Sequence, residues 1–158
     1  MCECTNLPCT TSLCEQGCCE ALEYLSFNDN TIKSPAMSIA NISTLKEFHC
    51  DNNRLHDLPP AIGQLKSLEV LSVQSNELDS IPESICECDS LQRIEISDNH
   101  VRRLPSEMGV MKSLVTLNVT GNSLRTLPFS LGFCKTLTTL LVSFENEVIS
   151  LNVVFYVI

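Results

Sequence analysis

The chain has 158 residues, 19 acidic and 10 basic side chains for a formal charge of −9, and 44% hydrophobic residues. That length fits one domain or part of a longer repeat array, and the apolar fraction supports a packed core and weighs against general disorder. The acidity weighs against a nucleic-acid partner, and the longest apolar run, Val153 to Ile158, is far shorter than the roughly 20 residues of a membrane span.

In chain order, residues 1–20 come first. Six of the ten cysteines fall here: Cys2, Cys4, Cys9, Cys14, Cys18 and Cys19. The segment has no charged n-region and no apolar h-region, so no secretory signal is visible and a soluble, intracellular chain is expected. Four readings of the cysteines stand open. A disulfide-stapled cap needs an oxidising compartment. A zinc site lacks a C-x2-C pair and a nearby His. Lipidation of Cys2 or Cys4 would tether the chain to a membrane. The plainest reading is a poorly ordered leader with reduced thiols.

Residues 21–151 repeat. Leu22, Leu45, Leu68, Leu91, Leu114 and Leu137 are spaced by 23, and so are Asn30, Asn53, Asn76, Asn99 and Asn122. A period of 23 lies in the leucine-rich-repeat range. Aligned on the leucine, the units read LEYLSFNDNTI, LKEFHCDNNRL, LEVLSVQSNEL, LQRIEISDNHV and LVTLNVTGNSL. Positions 1, 4 and 6 are apolar, and the alternation of 4 and 6 marks a short strand. Asn at position 9 can satisfy backbone groups that the following turn leaves unpaired, so the five asparagines form a structural ladder. Leu58-Pro59, Ile81-Pro82, Leu104-Pro105 and Leu127-Pro128 end each extended segment, and proline opens a short helical piece. Ile62 and Leu65, Ile85 and Cys88, Met108 and Met111, and Leu131 and Cys134 turn that piece inward. The expected fold class is α/β. It is a leucine-rich-repeat solenoid, or horseshoe, of about six repeats, with parallel β-strands on the concave face and short helical or 3-10 segments on the convex face. One repeat cannot offset its ordering entropy, so the stack must be contiguous.

This register accounts for the other cysteines. Cys50 takes a strand core position, Cys88 and Cys134 take the slot of Ile42, Leu65 and Met111, and each acts as a small buried hydrophobe. Cys86 aligns with Gly63, Gly109 and Gly132, which predicts partial exposure. The pattern fails at both ends. Pro35 replaces a spine leucine, so a looser turn is expected there. Glu145 stands where Asn is due, and a one-residue insertion near Phe144 restores Asn146, Val148 and Leu151 to register. Residues 152–158 form an apolar, β-prone tail, read as a cap or as the product of truncation.

The units LPPAIGQLKSLEVLSVQSNEL, LPSEMGVMKSLVTLNVTGNSL and LPFSLGFCKTLTTLLVSFENE resemble the leucine-rich-repeat and PDZ (LAP) scaffold family typified by Erbin, densin and Scribble. The match is to the last repeats of that family's repeat domain, where an LPF-type start precedes a leucine-rich strand and a Ser-Glu-Asn run. Here these are Leu127 to Phe129, Leu140 to Val142, and Ser143, Glu145 and Asn146. The resemblance covers residues 20–147. Ras-pathway adaptors of the Shoc-2 type share the LPxxIGxLxxL unit and stand next closest. The resemblance implies a cytoplasmic scaffold at the lateral plasma membrane or a cell junction, acting in polarity or signalling, with lipidated N-terminal cysteines.

Strand positions that point away from the core form the candidate partner-binding face. They include Glu23, Asp29, Lys46, Glu47, His49, Asp51, Glu69, Gln74, Arg93, Glu95 and Asp98, with Ser72 and Ser97 among them. Seven carboxylates and two cations fall in the first four units, and the fifth is uncharged. A basic segment of a protein partner, steered by that field, is the expected ligand. No Walker loop, GxSxG or HExxH occurs, and His49, His56 and His100 lie in different repeats, so neither enzyme activity nor a cofactor is expected. Asn41-Ile-Ser43 and Asn118-Val-Thr120 fit the N-glycosylation pattern, which matters only in a secreted chain. A monomeric, non-catalytic interaction module is the leading reading. A targeting module of a larger signalling enzyme and an extracellular receptor fragment are the alternatives.

Overall fold

The computed structural model describes the backbone of residues 2–3 and the whole of residues 21–35 and 37–143. The expectations for Cys4, for the leader cysteines Cys9 to Cys19, for the insertion near Phe144 and for the tail 152–158 lie outside the described residues, as does the side chain of Cys2.

The 23-residue rhythm becomes a single parallel sheet. Its strands are β1 (Cys2–Glu3), β2 (Tyr24–Ser26), β3 (Glu47–His49), β4 (Val70–Ser72), β5 (Arg93–Glu95), β6 (Thr116–Val119) and β7 (Thr139–Val142). They lie in chain order, and among the described residues each pairs with its sequence neighbours. From β2 to β7 the register offset is one period throughout: Leu25 faces Phe48, then Leu71, Ile94, Leu117 and Leu140. These six form the central column of the core. Position 6 extends the ladder past the strand ends, as Phe27 N–H donates to His49 O at 2.8 Å and Cys50 N–H to Ser72 O at 2.8 Å.

The chain returns along the opposite face through 3-10 turns: η1 (Met37–Asn41), η2 (Pro60–Gln64), η3 (Glu83–Glu87), η4 (Met108–Val110) and η5 (Phe129–Phe133). Pro59, Pro82 and Pro128 stand extended at the start of η2, η3 and η5. Their missing N–H groups cost nothing there. The inward pairs anticipated from sequence are all buried, from Ile62 and Leu65 to Leu131 and Cys134. Strands stack about 4.8 Å apart, closer than the bulkier proline-led turns can approach, so the sheet lies on the concave wall. Pro35 is buried in its spine slot.

Side-chain amides hold the turns. Asn99 Nδ2 donates to the carbonyls of Val73, Ile96 and Ser97 at 3.0, 3.2 and 3.1 Å, and its Oδ1 accepts the Leu78 N–H at 3.0 Å. Asn53, Asn76 and Asn122 repeat this arrangement one period apart, each reaching a carbonyl 26 residues back and an N–H 21 residues back. All four are buried. Asn30 is only half-buried, and its amide bonds to Phe27 O and Asn28 O stay within its own turn.

Two glycines mark close approach between turns. A Cβ at Gly63 would meet the Ser84 carbonyl, and one at Gly109 the Ser130 carbonyl, whereas one at Gly132 meets nothing within 4 Å among the described residues. Asn99→Ala orphans the buried Leu78 N–H, so a loss of at least about 1–3 kcal/mol is expected by urea denaturation. Gly109→Ala is expected to lower the thermal midpoint, and Gly132→Ala to leave it unchanged or raise it, read by circular dichroism.

Candidate binding surface on the concave face

The strands set out side chains in rows. Between the buried columns, one row reads Tyr24, Glu47, Val70, Arg93, Thr116 and Thr139, and the next Ser26, His49, Ser72, Glu95, Asn118 and Leu141. Period-two alternation turns these rows to solvent. The rim is built differently, because at position 8 the backbone turns left-handed. Asp29, Asn52, Ser75, Asp98 and Gly121 have φ between 52° and 64°. Asp, Asn and Gly tolerate that region best, and four of these five residues belong to that set.

Sequence reasoning did not anticipate that position 7 forms a second ladder. Asn28 Oδ1 accepts the Asp51 N–H at 2.7 Å. Asp51 Oδ1 in turn accepts the Gln74 N–H at 2.8 Å and the Ser72 hydroxyl at 2.7 Å, and Gln74 Oε1 accepts the Ser97 hydroxyl at 2.9 Å. Two expectations are corrected. Ser72 and Ser97 are buried, not exposed, because short hydroxyls sink between larger neighbours and bond within the protein. Asp51 Oδ1 is spent on internal donors, so Asp51 and Gln74 join successive strands. The polar 7th residues in LSFN, FHCD and LSVQ were the signal.

The structure places the remaining candidates as follows. Glu23 pairs with Lys46 at 2.9 Å, and Arg93 with Glu95 at 3.7 Å. The hydrogen bond and charge of Glu23 push the Lys46 ammonium above its usual pKa. Glu95 is 16% exposed. His49 Nε2 lies 3.2 Å from Glu47 Oε2, and its ring is tilted 5.2 Å from Tyr24. Asp29 Oδ1 accepts from Asn52 Nδ2 at 2.9 Å. Glu69 and Asp98 make no ion pair among the described residues; Asp98 is exposed and Glu69 half-exposed. Both cations are thus neutralised by neighbours, and the carboxylates of β2–β5 dominate the face. The β6–β7 end carries Thr116, Asn118, Thr138 and Thr139 and no charge.

His56 lies 3.6 Å from Glu77, and His100 is exposed two repeats on from His56. The histidines do not converge on one centre. Among the described residues no cluster of three or more His, Cys, Asp or Glu is arranged to hold a metal. Cys50, Cys88 and Cys134 are buried in the core, and Cys86 is half-buried. Cys88 Sγ donates to Ile62 O at 3.3 Å, and Cys134 Sγ to Met111 O at 3.4 Å.

Residues 43–101 match the leucine rich repeat family. The fold is a leucine-rich-repeat solenoid. Solenoids of this kind present extended concave surfaces for protein–protein contact. Solved structures agree on the architecture. An internalin, InlF of Listeria monocytogenes, superposes with a TM-score of 0.65 at 20% identity over 80% of this chain, and carries the fold alone. The plant peptide hormone receptor RGFR1, in complex with RGF2, gives 0.74 at 25% identity over 82% of the chain. The leucine-rich-repeat ectodomain of the receptor kinase GASSHO1/SCHENGEN3 of Arabidopsis thaliana, in complex with CASPARIAN STRIP INTEGRITY FACTOR 2, gives 0.70 at 33% over 78%. The chain spans 44%, 22% and 15% of those three chains. No curated protein matches it by sequence.

The convex thiols supply a pH test of the packing. Burial pushes the Cys86 thiol from 9.0 to about 12, helped by the negative field of Glu83 and Glu107. Burial pushes Cys88 to about 11, against the opposing pull of Lys66. Both folded values exceed the unfolded one, so the folded chain holds these protons more tightly. The stability tied to them is complete below pH 9 and drains as the pH climbs through 11 to 12. The urea midpoint is expected to fall between pH 8 and pH 10.5, and Cys88→Val to reduce that fall.

Proposed function

We propose that this chain is the partner-binding repeat module of a non-catalytic intracellular scaffold or adaptor in cell polarity, junction organisation or signalling. Its ligand is a basic segment of another protein, laid across β2 to β5. The observation that carries this reading is the charge arrangement of the face. Carboxylates recur along four strands, Lys46 and Arg93 are each neutralised by a neighbouring carboxylate, and the charge stops at β6. Such a surface draws cationic ligands and fixes where along the solenoid they stop. The likeness of the LPF-type repeat to the LAP scaffolds favours the lateral membrane or a junction as the site of action, with Cys2 and Cys4 as lipidation positions.

A second reading rests on the structural relatives. Two of them are plant receptors solved with a bound ligand, one of them described as a peptide hormone receptor. On that reading the same concave face receives a peptide outside the cell, and this chain is a receptor fragment.

Affinity capture on the full chain, followed by titration of the captured partner, tests the first reading. Glu47→Lys with Glu69→Lys is expected to weaken binding about tenfold at low salt, and less at high salt, from about 0.5–1 kcal/mol per reversed charge. Asp51 is left intact because it supports the fold. An unchanged affinity removes the basic-segment reading.

A further inference from the structure

The convex wall has its own rows, and they change character at the end of the solenoid. One runs Met37, Pro60, Glu83, Ser106, Phe129, and the next Asn41, Gln64, Glu87, Val110, Phe133, each one period apart. Through the middle repeats these outward positions are mostly polar or charged. In the last two, Val110, Phe129 and Phe133 stand there 56%, 87% and 62% exposed. Their exposure follows from position in the turn, because every residue of both rows is exposed. The two phenyl rings meet edge to face, with centroids 5.4 Å apart. Phe133 also walls a cleft of about 530 Å³, together with Val110 and Met111 and with Lys112 and Lys135 at its sides, while Phe129 stands outside that lining against the Phe133 ring.

The charge reverses over the same stretch. Residues 108–143 contain Lys112, Arg125 and Lys135 and no acidic residue, in a chain whose net charge is −9. Lys112 and Lys135 are exposed and make no ion pair among the described residues. Two adjacent exposed phenylalanines in a soluble fold mark a contact site, and aromatic side chains are the usual anchors of such sites.

We propose that this convex cleft between η4 and η5 is a second docking surface, distinct from the concave face, for an acidic peptide segment of a partner protein. An aliphatic or aromatic anchor of that segment packs against Phe129 and Phe133, and its flanking carboxylates pair with Lys112 and Lys135. Charge complementarity selects the occupant. An anionic bilayer would also be attracted to the lysines, but a flat membrane would have to face the exposed Glu83, Glu87 and Glu107 of the neighbouring turns. A narrow segment lying along the cleft avoids them.

The test is selection of short random peptides on the full chain, with affinities then measured by fluorescence anisotropy. Phe129→Ser with Phe133→Ser removes the anchor and leaves the core intact, since both rings are exposed; an unchanged circular-dichroism melt checks this. Lys112→Glu with Lys135→Glu reverses the flanks. The expected result is enrichment of peptides carrying an apolar anchor between acidic residues. Their affinity should fall about tenfold or more on the serine pair, and by at least as much on the glutamate pair. Enrichment of no acidic peptide overturns the proposal, as does undiminished binding of the acidic peptides to either variant; basic peptides, which the concave face is expected to draw, keep their affinity in the serine pair and are scored apart. Phenylalanine-dependent binding to phosphatidylserine vesicles makes the occupant a membrane and overturns it too. Self-association that vanishes in the serine pair makes it a second copy of this chain, with the same consequence.

Discussion

A buried amide that bonds two turns at once is the constraint on which this structure rests. Each short strand ends abruptly, and the chain bends away with its carbonyls and amide hydrogens pointing into a closed interior. Asn53, Asn76, Asn99 and Asn122 supply both donor and acceptor there, and each ties its own turn to the preceding one. No apolar residue could do so, and an unfilled group costs about 1–3 kcal/mol. The leucine columns provide most of the burial, yet without the asparagines they would have no fixed spacing between turns.

Much of this was legible from residue order, because the physics repeats with the chain. Six leucines and five asparagines at one period fix strand, turn and inward face together. The same register placed Cys50, Cys88 and Cys134 in the core. What stayed hidden was the fate of polar residues on the open side. Periodicity says that a side chain leaves the core; it does not say whether a neighbour one turn away then captures it. Ser72 and Ser97 are short enough to be enclosed by longer neighbours, and Asp51 finds two donors in the next repeat. The left-handed rim at position 8 was not read from the sequence either, although Asp29, Asn52, Asp98 and Gly121 belong to the residues that tolerate it, with Ser75 at φ 52° the exception.

The two faces carry opposite characters at opposite ends. Carboxylates crowd the concave side of β2 to β5, whereas the convex side of the last two repeats is aromatic and cationic. Nothing in the repeat template demands either. The template constrains leucine, asparagine and proline positions and leaves the outward ones open, so departures from neutrality there reflect something other than folding. The glycines show the opposite limit. At Gly63 and Gly109 a carbonyl of the next turn comes so close that those two positions have no room for a side chain.

Strand pairing that runs strictly from one neighbour to the next has a mechanical consequence. A globular domain closes on itself, so pulling on it breaks many contacts together. Here tension between the two ends would be shared along a chain of like junctions, one per repeat. The molecule would behave as a soft spring over small extensions and would peel from its weaker end under larger ones, keeping the remaining turns intact.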